Sequence, residues 1–194
     1  MHYRSYRFLT PLIMVLTWAN MEAQTSHPVP RLVVNVTIDQ LRTDYMEAFS
    51  SLFGAGGFNK VMRDGRSYMD AAYPFSHIDR ASAVACIMTG TVPYDNGIVG
   101  GRWMDRKTLR PMYCVDDTAC EGWLTSEKYS PVALNVSTVT DELKMATGGR
   151  ALVYSIAPDA DAAILAAGHA ADGAFWIDNA SGQWSSTSYY GQYP

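Results

Sequence analysis

Apolar runs of strand length alternate with longer stretches of helical character from residue 31 onward. The run 32–38 (Leu-Val-Val-Asn-Val-Thr-Ile) is short and β-branched, which predicts a strand buried on both faces. Further strands are predicted at 151–155 and 174–178, and an extended segment at 66–73. Strands separated by helices of this length indicate an α/β fold, with a mostly parallel sheet and helices on both faces.

The segments between these runs predict five helices. They cover residues 44–52, 58–63, 79–88, a stretch from Ser137 or Thr138 to the glycines at 148–149, and 159–167. The helix at 79–88 consists largely of small residues, so we expect it to pack tightly on a sheet. Residues 92–131 are rich in turns, which is typical of a functional segment or an insertion. Residues 183–194 form a Ser/Tyr-rich tail without a terminating element, so we expect a longer natural protein.

The first residues have the pattern of a signal peptide. Arg4 and Arg7 precede an apolar stretch at 8–19, and Ala23 is a small residue suited to a cleavage site. The apolar stretch is too short for a stable membrane span. The alternatives are an uncleaved anchor or a buried N-terminal helix. We expect residues 1–23 to be the signal peptide of a periplasmic or extracellular protein that has no membrane span after its removal.

Composition and charge exclude several functions. The chain has 194 residues, of which 48% are hydrophobic and 18% charged, as in a globular protein with one sizeable core. Its formal net charge is −4 and its Lys and Arg residues are scattered, so no nucleic-acid-binding surface is expected. Neither a glycine-rich phosphate loop nor a dinucleotide fingerprint occurs.

The three cysteines leave two alternatives open. Cys114 and Cys120 bracket a turn-like segment and either close a small disulfide loop in an oxidising compartment or remain free thiols in a surface loop. Cys86 lies in an apolar helical stretch and is expected to be a small core residue. Because no CxxC pair occurs, a zinc site built from cysteines is not expected.

Asp39 is the first candidate for chemistry. It directly follows the strand predicted at 32–38, and ligands of an open parallel sheet bind at the carboxyl ends of strands. A carboxylate there is suited to a cation such as Zn²⁺, at a distance of about 2.0–2.2 Å. From the residue alone, the alternative is that Asp39 caps the following helix.

An ordered set of short motifs resembles the alkaline phosphatase superfamily. The motifs are the segment 36–45, Gly-Gly-Phe at 56–58, Gly65, Met-Thr-Gly-Thr-Val-Pro at 88–93, Asn-Gly-Ile at 96–98, and the segment 167–176. Each motif is weak alone, whereas their order and spacing resemble secreted alkaline phosphatases and type I phosphodiesterase/nucleotide-pyrophosphatase proteins. This resemblance implies that residues 31–194 are the N-terminal part of an alkaline phosphatase-like domain, which is incomplete in this chain.

The resemblance also implies an activity and a cofactor. Such proteins are metal-dependent hydrolases of phosphomonoesters or phosphodiesters, so a small phosphate-ester substrate and two zinc ions are expected in the full-length protein. An Asp after the first strand binds one zinc in the family, and that role falls on Asp39. The remaining ligands are expected beyond Pro194. His77 and His169 are accordingly expected to be structural or to line the mouth of the site.

The family nucleophile is a Ser or Thr at the start of the helix that ends in Thr-Gly. Counting back from Thr89 and Gly90 places Arg80 at that position, and a guanidinium cannot act as a nucleophile. Either Ser82 is the catalytic residue, if the helix begins two residues later, or the site forms no covalent phosphoryl intermediate. Arg80 would then bind the phosphate of the substrate bidentately. Ser82 is otherwise simply a small residue on a small-residue helix.

Two further positions depart from relatives with monoesterase activity. Gly101 stands where those relatives carry an Asn, and residues 157–161 contain no base where they carry Lys-x-Arg. Basic groups there would neutralise phosphoryl oxygens, so their absence indicates diesters or another ester. Two functions remain open. One is an exported metal-dependent hydrolase that attacks through a metal-bound hydroxyl, and the other is a catalytically weakened relative that acts as a binding or assembly protein.

Overall fold

The computed structural model describes residues 29–191. The chain divides into two compact units, Met1–Val33 and Val34–Pro194. Of the first unit only residues 29–33 are described, and they contain no helix or strand. The signal peptide predicted at residues 1–23 lies outside the described residues.

The described part of the second unit contains six α-helices. They are α1 (Thr43–Ala48), α2 (Gly57–Asp64), α3 (Arg80–Thr89), α4 (Pro93–Asn96), α5 (Val139–Ala146) and α6 (Ala160–Ala167). A 3₁₀ turn, Ser50–Leu52, follows α1. All five predicted helices are therefore present, and α4 is an additional short one. None of the helices described combines the length and hydrophobicity that a membrane span requires.

Local capping signals set the limits of the two best-defined helices. Asp79 and Ser82 form a capping box at the start of α3, and Thr138 and Asp141 form another at the start of α5. Gly90 ends α3 in the left-handed conformation at φ 69°, which glycine adopts without steric cost. These helices were predictable because their signals lie within a few residues of one another.

The strands form two sheets. Strands β1 (Arg102–Met104) and β2 (Pro111–Tyr113) make an antiparallel pair. Strands β3 (Gly122–Trp123), β4 (Tyr154–Ile156), β5 (Gly173–Ile177) and β6 (Trp184–Thr187) form a four-stranded sheet in the order β3-β6-β5-β4. Within it β4 and β5 are parallel, with Ser155 opposite Ala174, and the other two pairs are antiparallel. The sheet is mixed, and α6 is the crossover between its parallel strands.

The strand predicted at residues 32–38 is not formed, and that prediction is wrong for this chain. Residues 32–38 pair with none of the described strands, and Leu32, Val34 and Val36 are 79%, 71% and 75% exposed. Residues 66–73 likewise contain no strand. A β-branched composition favours an extended backbone, but a strand also needs neighbours that accept hydrogen bonds from its N–H groups and donate hydrogen bonds to its C=O groups.

The tail predicted at 183–194 instead contains β6, so that prediction is also wrong. Ser185, Ser186 and Thr187 are fully buried. The Ser186 hydroxyl donates to the Ala174 carbonyl at 2.8 Å, and the Thr187 hydroxyl donates to the Tyr129 carbonyl at 2.6 Å. Hydroxyl side chains can be buried when they are hydrogen-bonded in this way, which a hydrophobicity pattern does not reveal.

The core lies between the helices and the four-stranded sheet. Helix α3 packs against α6, and α6 packs against β4 and β5. The buried residues include Ala81, Ala85 and Met88 of α3, Ala163, Ile164 and Leu165 of α6, and Trp176 of β5. The small-residue helix α3 was expected to pack on a sheet, whereas it packs against helix α6. This packing brings the first turns of α3 and α6 together.

Candidate functional site

An ion cluster occupies the junction between the first turns of α3 and α6. We use that name for Arg80, the first residue of α3, with Asp159 and Asp161 at the start of α6. Arg80 Nη1 lies 2.6 Å from Asp159 Oδ2. Arg80 Nε and Nη2 lie 3.1 and 3.3 Å from the two carboxylate oxygens of Asp161. Arg80 therefore forms a bidentate contact with Asp161 and a single hydrogen bond with Asp159.

The cluster is only partly open to solvent. The side chain of Asp161 is 3% exposed, whereas those of Arg80 and Asp159 are 36% and 34% exposed. Burial by itself lowers the pKa of the Arg80 guanidinium, but the hydrogen bond and charge of Asp161 and the charge of Asp159 outweigh it, and the pKa is raised. Arg80 is held as a cation whose charge is compensated within the protein.

The carboxylate of Asp79 caps the N-terminus of α3. Its Oδ1 accepts the backbone N–H of Ser82 at 2.9 Å, and its Oδ2 accepts the backbone N–H of Gly101 at 2.6 Å. Burial alone would raise the pKa of Asp79, but these bonds and the neighbouring charge of Arg80 lower it overall. The positive end of the helix is thus already bound to an anionic group of the protein.

Gly101 lies beside the same cluster. A Cβ atom at this position would be 3.5 Å from Asp79 Oδ2 and 3.9 Å from Asp161 Oδ2. The sequence positions that depart from monoesterase relatives, namely 80, 101 and 159–161, therefore meet at one place. The sequence carried no local signal of this proximity, because 81 positions separate Arg80 from Asp161.

Ser82 forms part of the N-terminal capping box of α3. Helix α3 begins at Arg80, so the later start on which a catalytic Ser82 depended is not found. The residue is fully buried. Its hydroxyl accepts the Asp79 N–H at 3.0 Å and lies 2.9 Å from Asp79 Oδ1. The geometry gives Ser82 a capping role, and its catalytic role stays a prediction.

Asp39 is exposed and lies in the turn between residues 32–38 and α1. It does not cap α1, because the N-cap of that helix is Arg42, without a side-chain cap bond. Asp39 lies close enough to Tyr73 to contribute, after burial and Cys86, to raising the pKa of Tyr73. The helix-cap alternative for Asp39 is therefore wrong.

The arrangement of possible zinc ligands is described for residues 29–191. Within that range, no three His, Cys, Asp or Glu side chains converge to hold a metal ion. A zinc site takes at least three protein ligands. The described residues therefore do not complete a zinc site by themselves.

His169 is bound at both ring nitrogens. Its Nδ1 lies 3.2 Å from Asp141 Oδ2, and its Nε2 lies 3.0 Å from the Leu134 carbonyl. Asp141 Oδ1 also accepts the backbone N–H groups of His169 and Ala170, at 2.8 and 2.7 Å. These contacts join α5 to the loop after α6, in agreement with the structural role expected of His169. His77 is exposed and lines a shallow cleft with Phe75 and other residues.

Cys114 and Cys120 are both unpaired and buried. Neither of the two alternatives is therefore found, because the thiols form no disulfide with each other and are buried rather than on the surface. Burial raises the pKa of both thiols, and the charges of Asp161 and Asp79 add to the effect at Cys114. Cys86 is half-buried on α3. All three thiols are poor candidates for nucleophiles, because little thiolate is present.

Comparison with known proteins identifies the family. The family of type I phosphodiesterases / nucleotide pyrophosphatases matches residues 33–193. The chain belongs to this family. Its relatives include the alkaline phosphatase PhoV of Synechococcus elongatus, which is 40% identical over 166 residues, covering 84% of this chain and 30% of PhoV. The alkaline phosphatase PafA of Elizabethkingia meningoseptica is 31% identical over 188 residues, covering 95% of this chain and 34% of PafA.

Solved structures confirm the alkaline phosphatase-like fold for this family member. The crystal structure of wild-type PafA superimposes with a TM-score of 0.81 at 34% identity, over 84% of this chain and 32% of PafA. A PafA variant with substitutions at a threonine, an asparagine, a lysine and an arginine superimposes with a TM-score of 0.73. The chain spans about a third of the length of the curated relatives it matches.

Proposed function

We propose that this chain is the N-terminal part of an exported, metal-dependent hydrolase of phosphoric esters. The observation that carries the proposal is the likeness to PafA, with a TM-score of 0.81 at 34% identity. Membership of the type I phosphodiesterase / nucleotide pyrophosphatase family supports the same reaction class. The substrate is a small phosphomonoester or phosphodiester.

The metal of the proposed enzyme is zinc, with two ions in the full-length protein and Asp39 as one ligand. Support comes from the position of Asp39 after the apolar segment 32–38, its exposure, and its freedom from helix capping. A carboxylate oxygen is a suitable zinc donor. The other ligands belong to parts of the protein outside the described residues.

The proposed location is the periplasm or the extracellular space. Its support is the basic and apolar pattern of residues 1–23, which is typical of a signal peptide. Expression of the natural protein followed by N-terminal sequencing of the secreted form tests this location. Cleavage after Ala23 is the expected result, and an intact N-terminus in the cytoplasm would contradict it.

A second candidate function is ligand binding without hydrolysis. Arg80 cannot act as a nucleophile, and the Ser82 hydroxyl is buried in the helix cap. The threonine and asparagine substituted in the PafA variant have the same sequence separation as Arg80 and Gly101. Its lysine and arginine are spaced like Asp159 and Asp161. We infer that this chain differs from PafA at all four positions.

Metal content and turnover together separate the two candidates. The full-length protein is analysed for zinc and assayed with p-nitrophenyl phosphate and with bis-p-nitrophenyl phosphate. The hydrolase proposal predicts zinc-dependent turnover that Asp39→Asn abolishes and the matched exposed variant Asp44→Asn does not. Bound zinc without turnover favours the binding protein, and absence of both zinc and turnover contradicts the hydrolase.

A further inference from the structure

We propose that the hairpin of β1 and β2 docks the protein onto an anionic lipid surface. The contact is made by residues 102–110, which form β1 and the turn that leads into β2 and are called the basic tip below. The partner is a bilayer whose headgroups carry negative charge, and the contact is peripheral. Such docking goes beyond the proposed ester hydrolysis and does not depend on it.

The basic tip concentrates positive charge in an otherwise acidic chain. Its nine residues contain four basic side chains and one acidic side chain, a net charge of +3. The other residues contain 11 basic and 18 acidic side chains, a net charge of −7. An anionic membrane attracts basic residues near its surface, and each contributes about a factor of five in affinity. The same surface repels the acidic remainder, so electrostatic forces turn the tip towards the membrane.

Three basic side chains of the tip are free to meet such a partner. Arg106, Lys107 and Arg110 are exposed. In the part of the chain that the structure describes, none of the three forms an ion pair. Arg102 differs from them, because it stacks over the Tyr113 ring at 4.7 Å. The three free cations are therefore available to an external anion.

The single acid of the tip is used to shape the turn. Asp105 Oδ1 accepts the backbone N–H of Lys107 at 2.8 Å, and Asp105 Oδ2 accepts the Thr108 hydroxyl at 2.9 Å. The backbone N–H of Leu109 donates to the Asp105 carbonyl at 2.8 Å, and the Asp105 N–H donates to the Arg110 carbonyl at 2.9 Å. Because the turn is already ordered by these bonds, little conformational entropy is lost on docking.

Apolar side chains on the same tip favour a lipid surface over a soluble polyanion. Leu109 is 75% exposed and Met104 is 56% exposed. Leu109 also has a left-handed φ of 53°, which is sterically unfavourable for leucine and suits asparagine or glycine, so the turn itself does not require leucine. Binding to a membrane interface grows with buried apolar area as well as with basic charge. Both contributions are present on the tip.

A cleft beside the turn adds to this surface. It has a volume of about 460 Å³, and the residues that line it include Val99, Trp103, Met104, Arg106 and Lys107. Tryptophan is enriched where membranes meet water, because its ring is amphipathic. An apolar lining with two cations suits the boundary between the acyl chains and the negatively charged headgroups of a bilayer.

Vesicle sedimentation with the mature full-length protein tests the proposal. Vesicles of phosphatidylcholine alone are compared with vesicles that also contain about 30% phosphatidylglycerol. We expect binding to the anionic vesicles only, and we expect it to weaken as salt is added. The variant Arg106→Gln/Lys107→Gln/Arg110→Gln should lower the partition coefficient about a hundredfold, since each basic residue contributes about a factor of five.

The matched control is Lys60→Gln/Arg63→Gln/Arg66→Gln, which removes the same charge from another exposed segment. Its partition coefficient should stay within about threefold of the wild type, because salt screens charges that do not touch the surface.

Leu109→Asn tests the apolar contribution separately. Asparagine tolerates the left-handed conformation, so the turn is kept while the side chain that enters the lipid is lost. The partition coefficient should fall about tenfold. Leu52→Asn makes the same change at a position that is 77% exposed and should leave vesicle binding unchanged.

Three outcomes overturn the proposal. The first is wild-type protein that binds anionic vesicles no better than phosphatidylcholine vesicles. The second is a triple variant of the tip that binds anionic vesicles as well as its control does. The third is preferential binding of heparin or a DNA duplex over vesicles, which would make the partner a soluble polyanion. If the triple variant does not fold, Arg106→Gln decides, with an expected loss of about fivefold, and unchanged binding contradicts the proposal.

Ester turnover by the same preparations is a separate measurement. Its absence would contradict the hydrolase, whereas the vesicle results would still decide whether the basic tip binds a membrane.

Discussion

The guanidinium of Arg80 meets the carboxylate of Asp161 edge to edge, although 81 positions separate them in sequence. The two Asp161 oxygens lie 3.1 and 3.3 Å from Nε and Nη2 of Arg80. Asp161 also lies in the first turn of α6, where the positive end of the helix favours a carboxylate. The contact therefore joins the N-termini of two packed helices. It also engages the Arg80 guanidinium, which would otherwise be free to bind a ligand.

Arg80→Met should destabilise the protein by removing this contact. The carboxylate of Asp161, which is almost fully buried, would then have lost its counter-charge. We expect the free energy of unfolding to fall by about 2 kcal/mol, below the cost for a fully buried pair because Arg80 and Asp159 are partly exposed. Urea unfolding, followed by circular dichroism, measures the change.

The matched control is Arg42→Met, because the pair of Arg42 with Asp44 is exposed on both sides. Its effect should stay within about 0.5 kcal/mol. Arg80→Met/Asp161→Leu should recover most of the loss, since both charges are then removed. Equal effects of the two single Arg variants would contradict the structural importance of the Arg80 contact.

Ser82→Ala should cost about 1 kcal/mol of stability, because the capping box of α3 loses its side-chain partner. Ser50→Ala is the control, since the Ser50 hydroxyl bonds the Glu47 carbonyl at an exposed position. Turnover measured on the same preparations separates the two roles of Ser82. Loss of a nucleophile abolishes turnover of a stable protein, whereas loss of a cap lowers the melting temperature.

Acid should weaken the junction between α5 and the loop after α6. Burial alone raises the pKa of Asp141, but hydrogen bonds from Thr138, Ala170 and His169 outweigh it and lower the pKa. A carboxyl with a lowered folded-state pKa contributes stability that is complete above its unfolded value of about 3.9. That stability is lost as the pH falls through the folded pKa.

Asp141→Asn checks this dependence. The variant should be less stable at pH 7 and should lose less stability than the wild type between about pH 5 and pH 2.5, because its side chain does not titrate. Asp70→Asn makes the same chemical change at an exposed position and should leave the acid dependence as in the wild type. If the stability of Asp141→Asn fell with pH in parallel with that of the wild type, Asp141 would not be the source of the acid dependence.

Thr187→Val should destabilise the sheet at β6. The substitution keeps the shape of the side chain but removes the hydroxyl bonded to the Tyr129 carbonyl at 2.6 Å. A buried carbonyl without a donor costs about 1–2 kcal/mol. Thr108→Val is the control, because the Thr108 hydroxyl bonds Asp105 at an exposed position where water can replace it. Equal melting temperatures for the two variants would contradict the buried role of Thr187.

Features encoded over a few residues could be predicted from the sequence. Helices α3 and α5 were predictable because an N-cap residue and a terminating glycine flank each of them. The strands β4 and β5 were found within a few residues of their observed limits because their apolar runs are short and bounded. The ordered motifs between residues 36 and 176 were enough to indicate the family.

Only the tertiary structure decided the features that depend on distant partners. Residues 32–38 have a strand composition but pair with none of the described strands, whereas β6 has a polar composition and two neighbouring strands, β3 and β5. The sequence determined that Arg80, Asp159 and Asp161 replace expected residues. Their convergence depends on α3 packing against α6, because ion pairing is decided by distances of a few ångströms that sequence separation does not specify.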